Sequence, residues 1–390
     1  AEVLRNSGYR TTMVGKWHLS LTRPVKQHMK FLNNQAILEQ FGDPKSYPVA
    51  RGFENHYGVI WGVVNFFDPF SLVQDMTPVQ SVSDDYYITD AFTDSAIERI
   101  SEYSAGEGPF FLYLAYTAPH WPLHARPEDI QKYNGTYDVG WQAIRKARYQ
   151  RQLEMGLFKE SSAALSSRHD ADRHWDQEPE QAWESRAMAV HAAMIDRVDQ
   201  SVGRIVESLR QHNRLDNTLI LFLSDNGASP ERPTAPGFDR TSQTRDGQAV
   251  TYFGQDQPKQ IMPGPETTYA GIGPRWANVC NTPFRLWKAA QHEGGIRTPL
   301  IAHWPAGLKT KPGAIEHAPG HIIDVMATCV ELAGVDYPAR FNDHKITPLE
   351  GKSLLPIFQG RQRKEHEALY WSVPRHQAIR MGDWKAIRSK

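Results

Sequence analysis

Leu219-Ile220-Leu221-Phe222-Leu223, followed directly by Ser224-Asp225-Asn226-Gly227, decides the fold. Neighbouring side chains on a strand point to opposite faces, so a strand with one face in water alternates apolar and polar residues. This run does not alternate. It suits a strand covered on both faces, as in a parallel sheet. Phe110-Phe111-Leu112-Tyr113-Leu114-Ala115 and Leu300-Ile301-Ala302-His303-Trp304 are of the same kind, and Thr11-Thr12-Met13-Val14 before Gly15 is a weaker fourth strand signal.

Helical patterns separate these runs. From about Glu180 to Gln211, the residues Met188, Ala192, Ile195, Val198, Val202, Ile205 and Leu209 recur at three- and four-residue steps, which predicts one apolar stripe. Ile322 to Ala333, closed by Gly334, and Tyr86 to Ser104 are two further predicted helices. Helices alternating with buried strands predict an α/β fold with a doubly wound, largely parallel sheet and helices on both faces. Ser229 to Gly273, rich in Pro, Gly, Thr and Gln, reads as a long loop, and Glu160 to Glu178 as polar surface. Past Arg363 the texture changes to short strand-like pieces, Ala368–Trp371, Gln377–Arg380 and Trp384–Ile387. Gly382-Asp383 marks one turn, and the pieces predict a small antiparallel sheet.

Composition bounds the function. The 390 residues carry 44 Lys+Arg against 44 Asp+Glu, a balance that argues against nucleic-acid binding. Two cysteines, Cys280 and Cys329, make no disulfide framework. No apolar run is long enough to span a membrane. Ala1 to Gly8 reads as the second half of a helix with its glycine cap and has no initiator Met. The chain is therefore expected to continue upstream, and its other end, at Lys390 after a strand-like run, reads as a cut as well.

Ligands of open α/β sheets bind beyond the carboxyl ends of the strands. After Leu223 come Asp225-Asn226-Gly227, after Ala115 comes Tyr116-Thr117-Ala118-Pro119-His120-Trp121-Pro122, and after Val14 comes Gly15-Lys16-Trp17-His18. Asn-Gly is by itself a hairpin signal, but a carboxylate beside an amide oxygen also suits a hard divalent cation. Lys16 and His18, two apart, share one side of an extended segment and could form an anion site with a base; alternatively they are solvated groups flanking a half-buried Trp17. His120 is either structural or a catalytic group beyond its strand. Asn281 to Lys288 leads through His292-Glu293-Gly294-Gly295-Ile296-Arg297 into Leu300. Lys288 can be an ordinary solvated helix residue there, and Glu293 with Arg297 an ordinary ion pair.

Taken together and in this order, Gly15–His18, Ala118–Leu123, Ser224–Gly227 and Lys288 with His292–Ile296 resemble the type I sulfatases of the alkaline phosphatase superfamily. The likeness is nearest to bacterial arylsulfatases, as is Tyr133–Asp138 followed by a charged helix. The resemblance implies hydrolysis of small-molecule or carbohydrate sulfate esters by a formylglycine nucleophile and Ca2+. Asp225 and Asn226 match metal ligands. Lys16 matches a lysine that binds sulfate, and His18 a base. His120 and Lys288 match groups at the sulfate and the leaving-group oxygen. It also implies a sulfatase domain over residues 1–362 and the start of a small-sheet subdomain over 363–390.

The departures are specific. The family's paired aspartates at the first strand and its Cys-x-Pro-x-Arg motif are absent from residues 1–390. Cys280-Asn281-Thr282-Pro283-Phe284-Arg285 has its proline one place too late and lies at the other end of the fold, and Cys329 reads as core. A phosphonate or phosphate ester hydrolase of the same superfamily and a non-catalytic binding protein on the same scaffold remain as alternatives.

Overall fold

The computed structural model describes residues 1–20, 42–167, 173–237, 240–244, 246–253, 260–374 and 376–389. Parts of the expected loop (238–239, 245 and 254–259) and of the expected polar surface (168–172) lie outside the described residues. Two compact units emerge. The first takes Ala1–Trp141, Arg173–His212 and Ser229–Trp276; the second takes Gln142–Asp172, Asn213–Ala228 and Ala277–Lys390. The chain changes unit five times, after Trp141, Asp172, His212, Ala228 and Trp276.

The first unit is built on a five-stranded sheet of β1 (Arg10–Gly15), β2 (Asn55–Val59), β3 (Leu72–Gln74), β4 (Thr77–Pro78) and β5 (Phe110–Ala115), ordered β4-β3-β2-β1-β5. β1 runs parallel to both β2 and β5, while β3 and β4 continue the sheet antiparallel. The weakest strand signal is thus an inner strand, paired on both sides. Met13 and Val14 are fully buried, and so are Thr11 and Thr12. The two hydroxyls that made the run look polar donate to the carbonyls of Gly52 (2.8 Å) and Asn55 (3.3 Å). That satisfaction removes most of the cost of burying them. The helices Ile88–Ser104 and Gln181–Gln211 pack on each other in this unit, close to their expected bounds. Within the expected stripe Met188, Ala192, Val198 and Leu209 are buried, but Ile195 is 47% exposed.

In the second unit β6 (Ile220–Leu223) pairs with β9 (Leu300–His303), and the pairing is antiparallel, with Leu223 opposite Leu300. Two expectations fail here. The strands are not parallel to each other, and they are not covered on both faces: Phe222 is 45% and Ile301 61% exposed. An apolar run records that a strand is hydrophobic, not which way its neighbour runs, and a two-stranded ribbon cannot enclose its own faces. The helix Ile322–Ala333 ends as expected at Gly334, whose φ of 64° is the left-handed cap. The expected small sheet is present as the antiparallel β10 (Leu369–Val373), β11 (His376–Met381) and β12 (Trp384–Ser389).

Candidate active site

In the first unit, β1 and β5 end side by side, Gly15 opposite Ala115. Their exits carry the first three candidate residues. The amide of Lys16 donates to Ala115 O at 2.8 Å, that of Trp17 to Val59 O at 2.9 Å and that of His18 to Ile60 O at 3.1 Å. The Lys16–His18 segment is therefore laced to the ends of both neighbouring strands. Glycine makes this possible. A Cβ on Gly15 would sit 2.0 Å from Ala115 O, and one on Gly58 1.9 Å from Gly15 O. The Trp17 indole donates to Ser46 O at 2.8 Å and packs on the buried cluster of Tyr47, Ile60 and Val73. The extended run expected through His18 stops there: His18 has φ 57°, and its ring lies edge-on to Trp61 at 5.7 Å, in space that a Cβ on Gly62 would occupy.

His120 lies beyond β5 in the same unit. A carbonyl can only accept, so the 2.7 Å contact from its Nδ1 to Trp121 O places the proton on Nδ1. Three bonds then tie the following residues to the expected long loop. Leu123 N donates to Ala270 O (3.0 Å), His124 Nε2 to Thr268 O (2.7 Å) and Ala125 N to Gly264 O (3.2 Å). Part of that loop is therefore ordered against the His120 segment, including the short parallel pair β7 (Thr251–Tyr252) and β8 (Thr268–Tyr269).

The second unit holds Asp225, Asn226 and Lys288. Asp225-Asn226-Gly227 is not a hairpin turn, since β6 pairs with β9 rather than with the next strand in sequence. Gly227 N donates to Gly295 O at 3.0 Å, and Lys288 N to Ala228 O at 3.1 Å. The segment after β6 is thereby joined to the segment before β9. Lys288 stands in a turn, not a helix, flanked by Leu286 (φ 65°) and Ala289 (φ 71°). Asn281 organises the turn, accepting from Ala228 N at 2.9 Å and donating to Leu286 O at 3.0 Å. Glu293 pairs with Lys385 of β12 at 2.6 Å rather than with Arg297, whose guanidinium lies over the rings of Phe284 and Phe158.

Sequence reasoning passed over Asn281 and His124. Only the Asn281-Thr282-Pro283 run hinted at the first, because side chains that bond main-chain groups leave no spacing pattern. Burial pushes the Cys280 thiol up to about 11, against a smaller pull from Arg148. It stays protonated at neutral pH, which agrees with its exclusion as a nucleophile.

A family model described as Sulfatase matches residues 1–335. The chain belongs to the sulfatase family. This family of sulfuric ester hydrolases includes an uncharacterized sulfatase of Schizosaccharomyces pombe, 31% identical over 99% of this chain and 68% of its own length. The arylsulfatase of Klebsiella aerogenes is 29% identical over 95% of this sulfatase and 75% of its own length. Among solved structures, Ps i-CgsB in complex with k-i-k-neocarrahexaose superposes with TM-score 0.60 at 23% identity. That likeness of fold covers 100% of this chain and 64% of the other. BT4656 in complex with its substrate D-glucosamine-2-N,6-O-disulfate gives TM-score 0.57 at 19% identity, over 99% and 72% of the two chains.

Sulfatases generally use a divalent metal. Among the described residues no group of three or more His, Cys, Asp or Glu side chains could hold one. Asp225 and Asn226 fit such an ion in kind, since both offer oxygen, and would make up only part of a coordination shell. No described helix is long and apolar enough to cross a membrane.

Proposed function

We propose that this sulfatase hydrolyses sulfate esters of small-molecule or carbohydrate alcohols in an arylsulfatase-like reaction that depends on Ca2+ and a formylglycine. Bound Ca2+ would supply positive charge at the sulfate oxygens, with Asp225 and Asn226 among its ligands. Lys16 and Lys288 bind sulfate oxygens with point charges. His18 acts as a base. His120 gives a proton to the departing ester oxygen, where negative charge develops.

The observation that carries this reading is the lacing of Lys16 to Ala115 at the adjoining ends of β1 and β5. It supports a fixed cation and two imidazoles at one sheet edge. The test is release of sulfate from nitrophenyl sulfate and from a glucosamine 6-sulfate. It uses the protein with whatever sequence precedes Ala1 in its gene and with Ca2+ supplied. Sulfate release with either ester supports the reading. Turnover of nitrophenyl phosphate or a phosphonate monoester at a much higher kcat/KM would replace it with the phosphoryl alternative.

A further inference from the structure

We propose that Glu231 is a positioning residue for His120, acting through the indole of Trp121; the inference rests on the role given to His120 above. Trp121 Nε1 donates to the Glu231 carboxylate at 2.9 Å, and the carbonyl of the same Trp121 takes the His120 Nδ1 proton at 2.7 Å. The two rings lie 5.3 Å apart. One tryptophan thus links a carboxylate to an imidazole, using its side chain for one and its main chain for the other.

An exposed carboxylate is ordinarily a weak anchor. Glu231 differs because its main chain is fixed on both sides. Arg232 pairs at 2.7 Å with Glu184, whose side chain is 1% exposed, and also donates to Ile272 O at 3.1 Å. On the other side Glu231 N donates to Ser229 Oγ at 3.2 Å, and that hydroxyl donates to the Glu231 carboxylate at 2.8 Å. Gly271 lies so close that a Cβ there would sit 2.1 Å from Glu231 O. A part-buried ion pair and a glycine contact hold the carboxylate where the indole needs it.

The consequence is chemical. The partner of one ring nitrogen decides which nitrogen does the proton transfer. With Nδ1–H kept on the Trp121 carbonyl in both charge states, Nε2 is the nitrogen that gains and loses the proton. If the indole loses Glu231 it is free to rotate against the imidazole packed beside it, the His120 ring shifts off the carbonyl, and the assignment is lost.

Two experiments test this. In residues 1–390, ring 15N shifts of His120 should show one Nδ1–H tautomer. Glu231→Ala should give a mixture of tautomers, and Glu231→Gln, which keeps an acceptor oxygen, should restore the single form. In the catalytically competent protein, Glu231→Ala should lower kcat about tenfold or more with KM within about twofold, because small misplacements of a reacting group are costly. The loss should be larger for sugar or alkyl sulfates than for nitrophenyl sulfate, whose leaving group hardly needs a proton. Trp121→Phe combined with Glu231→Ala should be no worse than either alone. An unchanged tautomer in Glu231→Ala overturns the proposal, and so does an equal loss with all leaving groups. A parent inactive on every sulfate ester would defeat the proposed function instead, while the 15N result would still decide the Glu231–His120 link.

Discussion

His124 gives its Nε2 proton to the carbonyl of Thr268 at 2.7 Å, while its Nδ1 accepts the amide of Phe66 at 3.3 Å. Only a neutral ring can do both. A proton on Nδ1 would face the Phe66 N–H and break that bond.

Burial holds the His124 pKa down at about 4, only partly opposed by the bond to Thr268. The unfolded chain takes up this proton near pH 6.5, so between about 6.5 and 4 it binds more protons than the folded chain. Stability from this group is complete above that window and falls as pH drops through it, by roughly 3 kcal/mol in all. Burial pushes His56 down to about 4 as well, and it adds loss of the same sign. Urea midpoints should decrease steadily from pH 7 to pH 4.5. A flat profile would contradict the neutral assignment.

Asp324 is fully buried and takes four bonds. Lys352 N (2.8 Å) and His366 Nε2 (2.7 Å) reach one oxygen, and His321 N (2.8 Å) and Arg363 Nη1 (3.0 Å) reach the other. Burial alone would raise its pKa, but these donors outweigh it and the net shift is downward. Asp324→Ala leaves the 4%-exposed Arg363 charge unpaired and should cost about 3–5 kcal/mol. Thermal unfolding of Asp324→Ala beside Asp324→Leu/Arg363→Met measures it, the double variant recovering much of the loss.

Gly227 and Gly203 make a controlled pair. A Cβ on Gly227 would lie 1.8 Å from Gly294 O, whereas one on Gly203, inside Gln181–Gln211, meets nothing within 4 Å. Gly203→Ala should stabilise by about 0.5–1 kcal/mol through helix propensity. Gly227→Ala should part the segments joined by the Gly227–Gly295 bond and abolish activity. Melting curves and sulfate release separate the two outcomes.

Asp225→Ala and Lys288→Ala should separate metal binding from catalysis. An ammonium cannot ligate a cation, so Lys288→Ala should keep Ca2+ affinity while losing on the order of a hundredfold in rate. Asp225→Ala should lose both. Calorimetric Ca2+ titration with parallel turnover decides; equal Ca2+ affinity in Asp225→Ala and the parent would remove that residue from the metal shell.

Much of this was legible in the sequence because it is periodic or local. The helices at Ile88, Gln181 and Ile322 and the small sheet after Leu369 declared themselves by spacing and caps, and the segments that carry Lys16, His18 and His120 follow strands as expected. The inner, fully buried position of β1 was not legible, since nothing in Thr11-Thr12 says that a carbonyl waits for each hydroxyl. Nor was the direction of β9 relative to β6, because apolarity is the same either way. Asn281, His124 and Glu231 stayed hidden for a third reason: each bonds a group far along the chain, at Ala228, Thr268 and Trp121, a separation that no local pattern records.

The five passages of the chain between its units bear on how such a gene can change. Neither unit is encoded as one uninterrupted stretch, so no single recombination event can duplicate, swap or fuse one of them whole. A crossover near Trp141 or Ala228 would carry fragments of both. Diversification is left to substitutions and to insertions in surface segments. On the ribosome, β1, β2 and β5 emerge ahead of the first passage at Trp141, yet the helix Gln181–Gln211 and the Ser229–Trp276 stretch that complete their unit arrive only after parts of the other have been made. The first unit therefore completes its contacts only with the second already begun.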